Sequence, residues 1–290
     1  MTASILAGNT YGVAKNASIV PIRVWSCGSQ SFSTSYYFNW AIDWIMSHYN
    51  PYRDHRPALL SMSVFQFVND SCANGGGVVT QLQASYLENE IDALLGWGYS
   101  SSTGFYTPYV VHETGQPDYS WYGIPVVASA NNMNNDAGDT TPARMAYHNA
   151  ANLPAGGHVI SAGGLDTSDQ RWIDTTHGLN ACGTLILLGS NYGPTVDIYA
   201  AAQNITGAWV LSTTTTTTTA FLSGTSFSAP IVAGLIARMQ ERYGAMLPAA
   251  AWSNLQSSSV LPSSAIEPSG VNNKMVARMY GAYTCSPEYP

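Results

Sequence analysis

Ser226 is the residue of this sequence best placed to act as a nucleophile. It lies in the run Ser223-Gly224-Thr225-Ser226-Phe227-Ser228-Ala229-Pro230, which continues as Ile231-Val232-Ala233-Gly234. Gly224 permits a tight turn, and a helical apolar pattern begins directly after it. Ser226 is therefore expected at a helix N-terminus, where free N–H groups and the helix dipole favour developing negative charge. An ordinary N-cap serine is the plainer alternative. The run does not fit the G-x-S-x-G elbow, because Ser228 stands where the final glycine would be.

A serine hydroxyl is a poor nucleophile until a base takes its proton and a third group holds that base. The six histidines, His48, His55, His112, His148, His158 and His177, do not stand in a recognisable catalytic context and read as surface or structural residues. His112-Glu113 lacks the second histidine of H-E-x-x-H, so it is not a zinc protease motif.

The elements around the serine alternate strand and helix, which indicates a parallel α/β sheet. Short apolar runs predict strands over residues 18–24, 58–63, 124–129, 159–162 and 195–200. Tyr37, Trp40, Ala41, Trp44 and Ile45 recur at helical spacing and predict a helix over 34–48 with that face inward. Leu82, Leu87, Ile91, Leu94 and Leu95 predict another, stopped by Gly96 and Gly98, after a glycine-rich loop through Gly75 to Gly77. A long helix over 226–243 is closed by Gly244. Ala229, Ala233 and Gly234 are small enough to let that helix press on the sheet. Residues 99–123, rich in Ser, Tyr, Gly and Pro, read as an elaborated surface loop, and the threonine run 213–219 as another.

Composition narrows the class. The 290 residues read as one domain, 46% hydrophobic and only 9% charged, with a net charge of -7. The polar surface must come from Ser, Thr, Asn, Gly and Tyr, which suits a secreted, extracellular protein. No basic cluster follows a phosphate backbone or an anionic membrane, and no apolar run is long enough to span a bilayer, so neither nucleic acid nor membrane is an expected partner. Cys27, Cys72, Cys182 and Cys285 lie far apart, without the close pairs of a zinc site. Two disulfides are permitted. Asn16, Asn69 and Asn204 begin glycosylation sequons.

The serine run closely resembles the signature of subtilisin-like serine proteases, the subtilases. Ile124-Pro125-Val126-Val127-Ala128-Ser129-Ala130-Asn131-Asn132 resembles the family strand that ends in the oxyanion-hole asparagine, with Asn132 at that position. The alternative for Asn132 is a turn residue in an Asn-rich loop. The family usually has glycine where Asn131 stands, and asparagine tolerates positive φ better than other residues with a Cβ. Leu60-Ser61-Met62-Ser63-Val64 resembles the strand that pairs with substrate and walls the specificity pocket, although Phe65 and Gln66 follow it where glycines are common. Ser190-Asn191-Tyr192-Gly193 with Val196-Asp197-Ile198, and Val159-Ile160-Ser161-Ala162-Gly163-Gly164-Leu165-Asp166, resemble packing segments of the family core.

The resemblance implies an α/β fold, a subtilisin-like three-layer sandwich with a mainly parallel central sheet, spanning residues 1–290. It implies a serine endopeptidase with Ser226 and Asn132 as catalytic residues and Ser63, Val64, Phe65, Ala128, Ser129 and Ala130 along the bound peptide. The substrate is a protein or peptide, and neither cofactor nor metal is required. Thr2 to Lys15 resembles the segment directly after the catalytic histidine, so the His-Gly-Thr triplet and the aspartate strand are expected upstream of Met1. On that reading the N-terminal strands are missing, the chain alone is inactive and unstable, and its own N-terminal segment is a candidate partner. The competing reading is a pseudoprotease that binds without cleaving.

Overall fold

In the computed structural model, the residues described are 1–24, 35–49, 56–64, 66–68, 78–79, 81–100, 105–111, 119–121, 123–146, 159–179, 185–209, 218–260, 268 and 274–277. Four of the five apolar runs pair into one sheet, joined by a short strand at residues 275–276 that the sequence did not signal. Leu60–Met62 (β1), Val126–Ser129 (β2), Ile160–Leu165 (β3), Ile198–Ala201 (β4) and Met275–Val276 (β5) lie side by side in that order. Every neighbouring pair is parallel, with Ser61 opposite Val127, Ala128 opposite Ser161 and Ile198 opposite Ala162.

A parallel strand is covered on both faces, so it cannot alternate polar with apolar residues. Accordingly β2 and β3 are buried at every position. Val126 and Ala128 face a core made with Phe38, Ile42 and Ile45 of α2 (Ser35–His48) and Leu87, Ile91 and Leu94 of α3 (Gln81–Leu94). Val127, Ile160, Ala162 and Ile198 face the opposite core. There they meet Ala229, Val232, Ala233 and Ile236 of α4 (Thr225–Tyr243), Leu6 of α1 (Thr2–Ala7) and Leu255 of α5 (Pro248–Ser258). Helices, sheet and helices form the three layers of the expected sandwich. Gly244 closes α4 at φ 85, its N–H bonded to the Gln240 carbonyl.

Several expectations are corrected. Residues 18–24 form no strand: Pro21 brings no N–H, no described strand lies alongside, and Ile19 and Val20 are exposed. Among the described residues β1 is an edge of the sheet. The face of α2 is also turned. Phe38, Ile42, Ile45 and Met46 are buried, while Tyr37, Trp40 and Trp44 are exposed. Both stripes have helical spacing, and the one without polar atoms wins the core because Tyr and Trp can keep a polar edge in water. Within the supposed loop 99–123 the chain forms antiparallel strands, Trp97–Ser100 with Phe105–Val111 and Phe105–Val111 with Tyr119–Trp121. Tyr, Phe and Val carry enough β preference to pair there without a two-residue pattern. Thr218 and Thr219 begin a strand paired with Ile205–Trp209, not a loop. Ala229 and Ala233 do press on the sheet, but Gly234 faces Val13 and the Leu6 carbonyl instead. The glycine run 75–77, residues 213–217, all four cysteines and Asn69 lie outside the described residues.

Candidate active site around Ser226

Ser226 is the second residue of α4 and is half-buried. Gly224 precedes the helix at φ 150, a conformation that residues with a Cβ rarely adopt, and its N–H bonds the Ala202 carbonyl at 2.8 Å. Ser228 Oγ reaches the carbonyls of Ala200 and Ala201 at 3.2 and 3.3 Å, pinning the first turn to the end of β4. The N–H groups that begin a helix lack a partner four residues back; here Thr225 donates its own to Asn132 Oδ1 and Phe227 its own to the Gly224 carbonyl, so the donor that the helix start offers the site is the Ser226 N–H. Among the described residues Ser226 Oγ makes no hydrogen bond. Its carbonyl accepts one from Ser63 Oγ at 2.8 Å.

Asn132 is brought to the same place from the end of β2. Asn131 turns the chain at φ 83, which bears out the expectation that asparagine can take the role of a glycine there. The turn is braced from several sides. Asn131 Oδ1 accepts from the Asn132 N–H at 2.6 Å, and Asn191 Oδ1 from the Met133 N–H at 2.9 Å. Arg171 donates to Asn134 Oδ1 at 2.7 Å and to the Ser190 carbonyl at 2.6 Å, with its guanidinium 4.9 Å from the Tyr192 ring centre.

The Asn132 amide is oriented by Thr225. Its Oδ1 accepts from the Thr225 N–H at 2.8 Å and from Thr225 Oγ1 at 2.9 Å. A backbone N–H can only donate, so the atom facing it must be the oxygen, and Nδ2 is forced to the other side. Nδ2 lies 3.3 Å from the point where a Cβ on Gly224 would sit, so the missing side chain keeps that space open. A serine hydroxyl, the Ser226 N–H at the helix start and an amide donor therefore lie at one site. That set can hold the oxyanion of an acyl-transfer reaction.

A profile of the Subtilase family matches residues 1–282. The chain belongs to the subtilase family. It is 27% identical over 246 residues to an extracellular serine proteinase of Thermus sp. (strain Rt41A), a match covering 85% of this chain and 42% of that protein. It is 28% identical over 233 residues to alkaline protease 1 of Aspergillus flavus, covering 79% and 39%. The chain thus spans about two fifths of the length of these curated relatives. A crystal structure of a cold adapted subtilisin-like serine proteinase shares the fold at TM-score 0.59 and 21% identity, covering 95% of this chain and 71% of that one. The prenylagaramide maturation protease superposes at TM-score 0.56 and 17% identity, covering 96% and 78%.

The other subtilase positions fall as follows. Ser63 and Val64 follow β1 directly, Val64 partly packed on the α2 and α3 core. Phe65 lies outside the described residues. Ala128, Ser129 and Ala130 are buried at the end of β2, and the Ala130 N–H bonds the Ala162 carbonyl at 2.9 Å. His48 ends α2, its Nδ1 2.9 Å from both the Trp44 carbonyl and Ser47 Oγ. His177 is exposed and pairs with Leu187 in an antiparallel ladder. His55, His112, His148 and His158 lie outside the described residues. No group of three His, Cys, Asp or Glu side chains that could hold a metal occurs among the described residues. Sequence reasoning missed Thr225 and Asn191 as the residues that aim Asn132. Thr225 adjoins the nucleophile, but that it points to β2 depends on the fold.

Proposed function

We propose that this subtilase is a secreted serine endopeptidase that works through an acyl-enzyme on Ser226. One observation carries the reading: Thr225, next to the nucleophile, holds the Asn132 amide oxygen and so leaves Nδ2 beside Gly224 as a free donor. The names of the bacterial and fungal relatives agree with it. Ser226 Oγ adds to the peptide carbonyl, and Asn132 Nδ2 with the Ser226 N–H holds the resulting oxyanion. The hydroxyl proton passes to a histidine base and then to the leaving amine, and water releases the acyl group. Ser63 and Val64 present backbone to the substrate as a neighbouring strand would, while residues 128–130, buried and paired within the sheet, back the site from beneath.

The base and the group that orients it belong to residues outside those described, because Ser226 meets neither within them. The outer edge of β1 carries no strand among the described residues and suits one more. The second reading is a pseudoprotease that holds peptides without cutting them. A fluorophosphonate probe and a fluorogenic peptide, applied to the full-length protein, separate the two. Probe on Ser226 by mass spectrometry, with turnover lost in Ser226→Ala, supports the endopeptidase. An unlabelled Ser226 and turnover unchanged by Ser226→Ala refute it.

A further inference from the structure

The carbonyl of Ser226 is in an unusual position for a residue in the first turn of a helix. Its intrahelical partner would be the N–H four residues on, but that residue is Pro230, which has none. The carbonyl is nonetheless satisfied, because Ser63 Oγ donates to it at 2.8 Å across 163 residues of sequence. Ser63 immediately follows β1, whose register with β2 is fixed by the pairs Leu60 with Val126 and Met62 with Ala128. One side chain therefore joins the end of an edge strand to the peptide plane that follows the nucleophile.

We infer that Ser63 is a positioning residue for Ser226, in addition to any part its backbone has in holding a peptide. This rests on the endopeptidase reading of the same site. The orientation of the Ser226 carbonyl fixes the ψ angle of that residue. Thr225 and Ser228 hold the two sides of the turn, but with no Pro230 donor the peptide plane after Ser226 would otherwise lack a bond of its own, and Ser226 Oγ would share its looseness. Catalysis demands positioning to a fraction of an ångström. The hydroxyl thus does from outside the helix what a backbone N–H does inside an uninterrupted one. It also sets the distance between the strand wall and the nucleophile, so a peptide lying along residues 63–64 is presented at a fixed offset from Ser226.

The test is a set of variants in the full-length protein, read as kcat and KM on one peptide substrate, with thermal melts as the control for folding. Ser63→Ala is expected to lower kcat about tenfold, the scale of one lost hydrogen bond to a half-buried acceptor, with KM little changed. Ser63→Thr keeps the hydroxyl and is expected to recover most of that loss. Pro230→Ala restores the missing N–H, and in that background Ser63→Ala is expected to cost less than about twofold. Equal losses in both backgrounds, or a loss confined to KM, overturn the positioning role. So does a kcat within twofold in Ser63→Ala when Ser226→Ala abolishes turnover. Turnover that survives Ser226→Ala defeats the endopeptidase reading, and this inference with it.

Discussion

Replacing Thr225 by valine removes one of the two hydrogen bonds that aim the Asn132 amide while leaving the shape of a fully buried side chain almost unchanged. The backbone N–H of residue 225 still donates at its 2.8 Å geometry, so the amide is loosened rather than released. A neutral hydrogen bond nets about 0.5–1.5 kcal/mol. Each ~1.36 kcal/mol is tenfold in rate, so kcat is expected to fall by about 2- to 13-fold in Thr225→Val. Asn132→Leu removes the donor itself and is expected to lower kcat by about 10²–10³. The decisive variant combines both. If Thr225 acts through Asn132, Thr225→Val costs nothing further once Asn132 is leucine. Steady-state kcat on a chromogenic peptide, with full-length protein shown folded by its melting curve, measures all three. An equal loss from Thr225→Val in both backgrounds would mean that the hydroxyl stabilises the helix start instead. A kcat within about threefold of wild type in Asn132→Leu would refute the oxyanion role altogether.

Three further outcomes are expected. Burial first, and the Asp43 carboxylate second, raise the pKa of Glu90 above its ordinary 4.5. The folded state then binds the proton more tightly than the unfolded one, so this residue's contribution to stability declines as pH climbs from the ordinary value through the raised one. Glu90→Gln should raise the melting temperature at neutral pH and leave it unchanged below about pH 4; equal shifts at both would refute the assignment. Gly234→Ala should lower the melting temperature, because its Cβ would lie 2.7 Å from Val13 Cβ. Overpacking of about 1–3 kcal/mol then opposes a helix-propensity gain of about 1 kcal/mol, and a rise in melting temperature would show that Val13 yields easily. Glu88→Gln takes one carboxylate from the two-pronged pair with Arg144, whose side chain is only 9% exposed. Denaturant unfolding should register a loss of about 3 kcal/mol, and a loss below about 0.5 would mean that solvent screens the pair.

How far the chain can be read without its structure depends on whether the signal is local. β2, β3, α3 and α4 were legible because burial on both faces, or on one stripe, leaves its mark within each segment. The inward face of α2 was not, since Trp40 and Trp44 keep helical spacing as faithfully as Phe38, Ile42 and Ile45, and only packing against α3 decides between them. Residues 18–24 look like a strand, yet a strand exists only when something pairs with it. At the site, Ser226 and Asn132 stood out through flanking residues that resemble a family pattern. What aims them did not, because Thr225 to Asn132, Ser63 to Ser226 and Asn191 to Met133 are long-range contacts of ordinary polar residues.

The bond between Thr225 and Asn132 spans 93 residues, and the one between Ser63 and Ser226 spans 163. A chain still emerging or partly assembled carries a serine and an asparagine with no more reactivity toward peptides than any others. Competence to hold an oxyanion arrives only when α4 docks on β2 and the end of β1. On the proposed endopeptidase reading that order matters: nascent copies would be harmless to one another while they are most digestible. A cutting surface of that kind would exist only in molecules that have already closed their own chain against being cut.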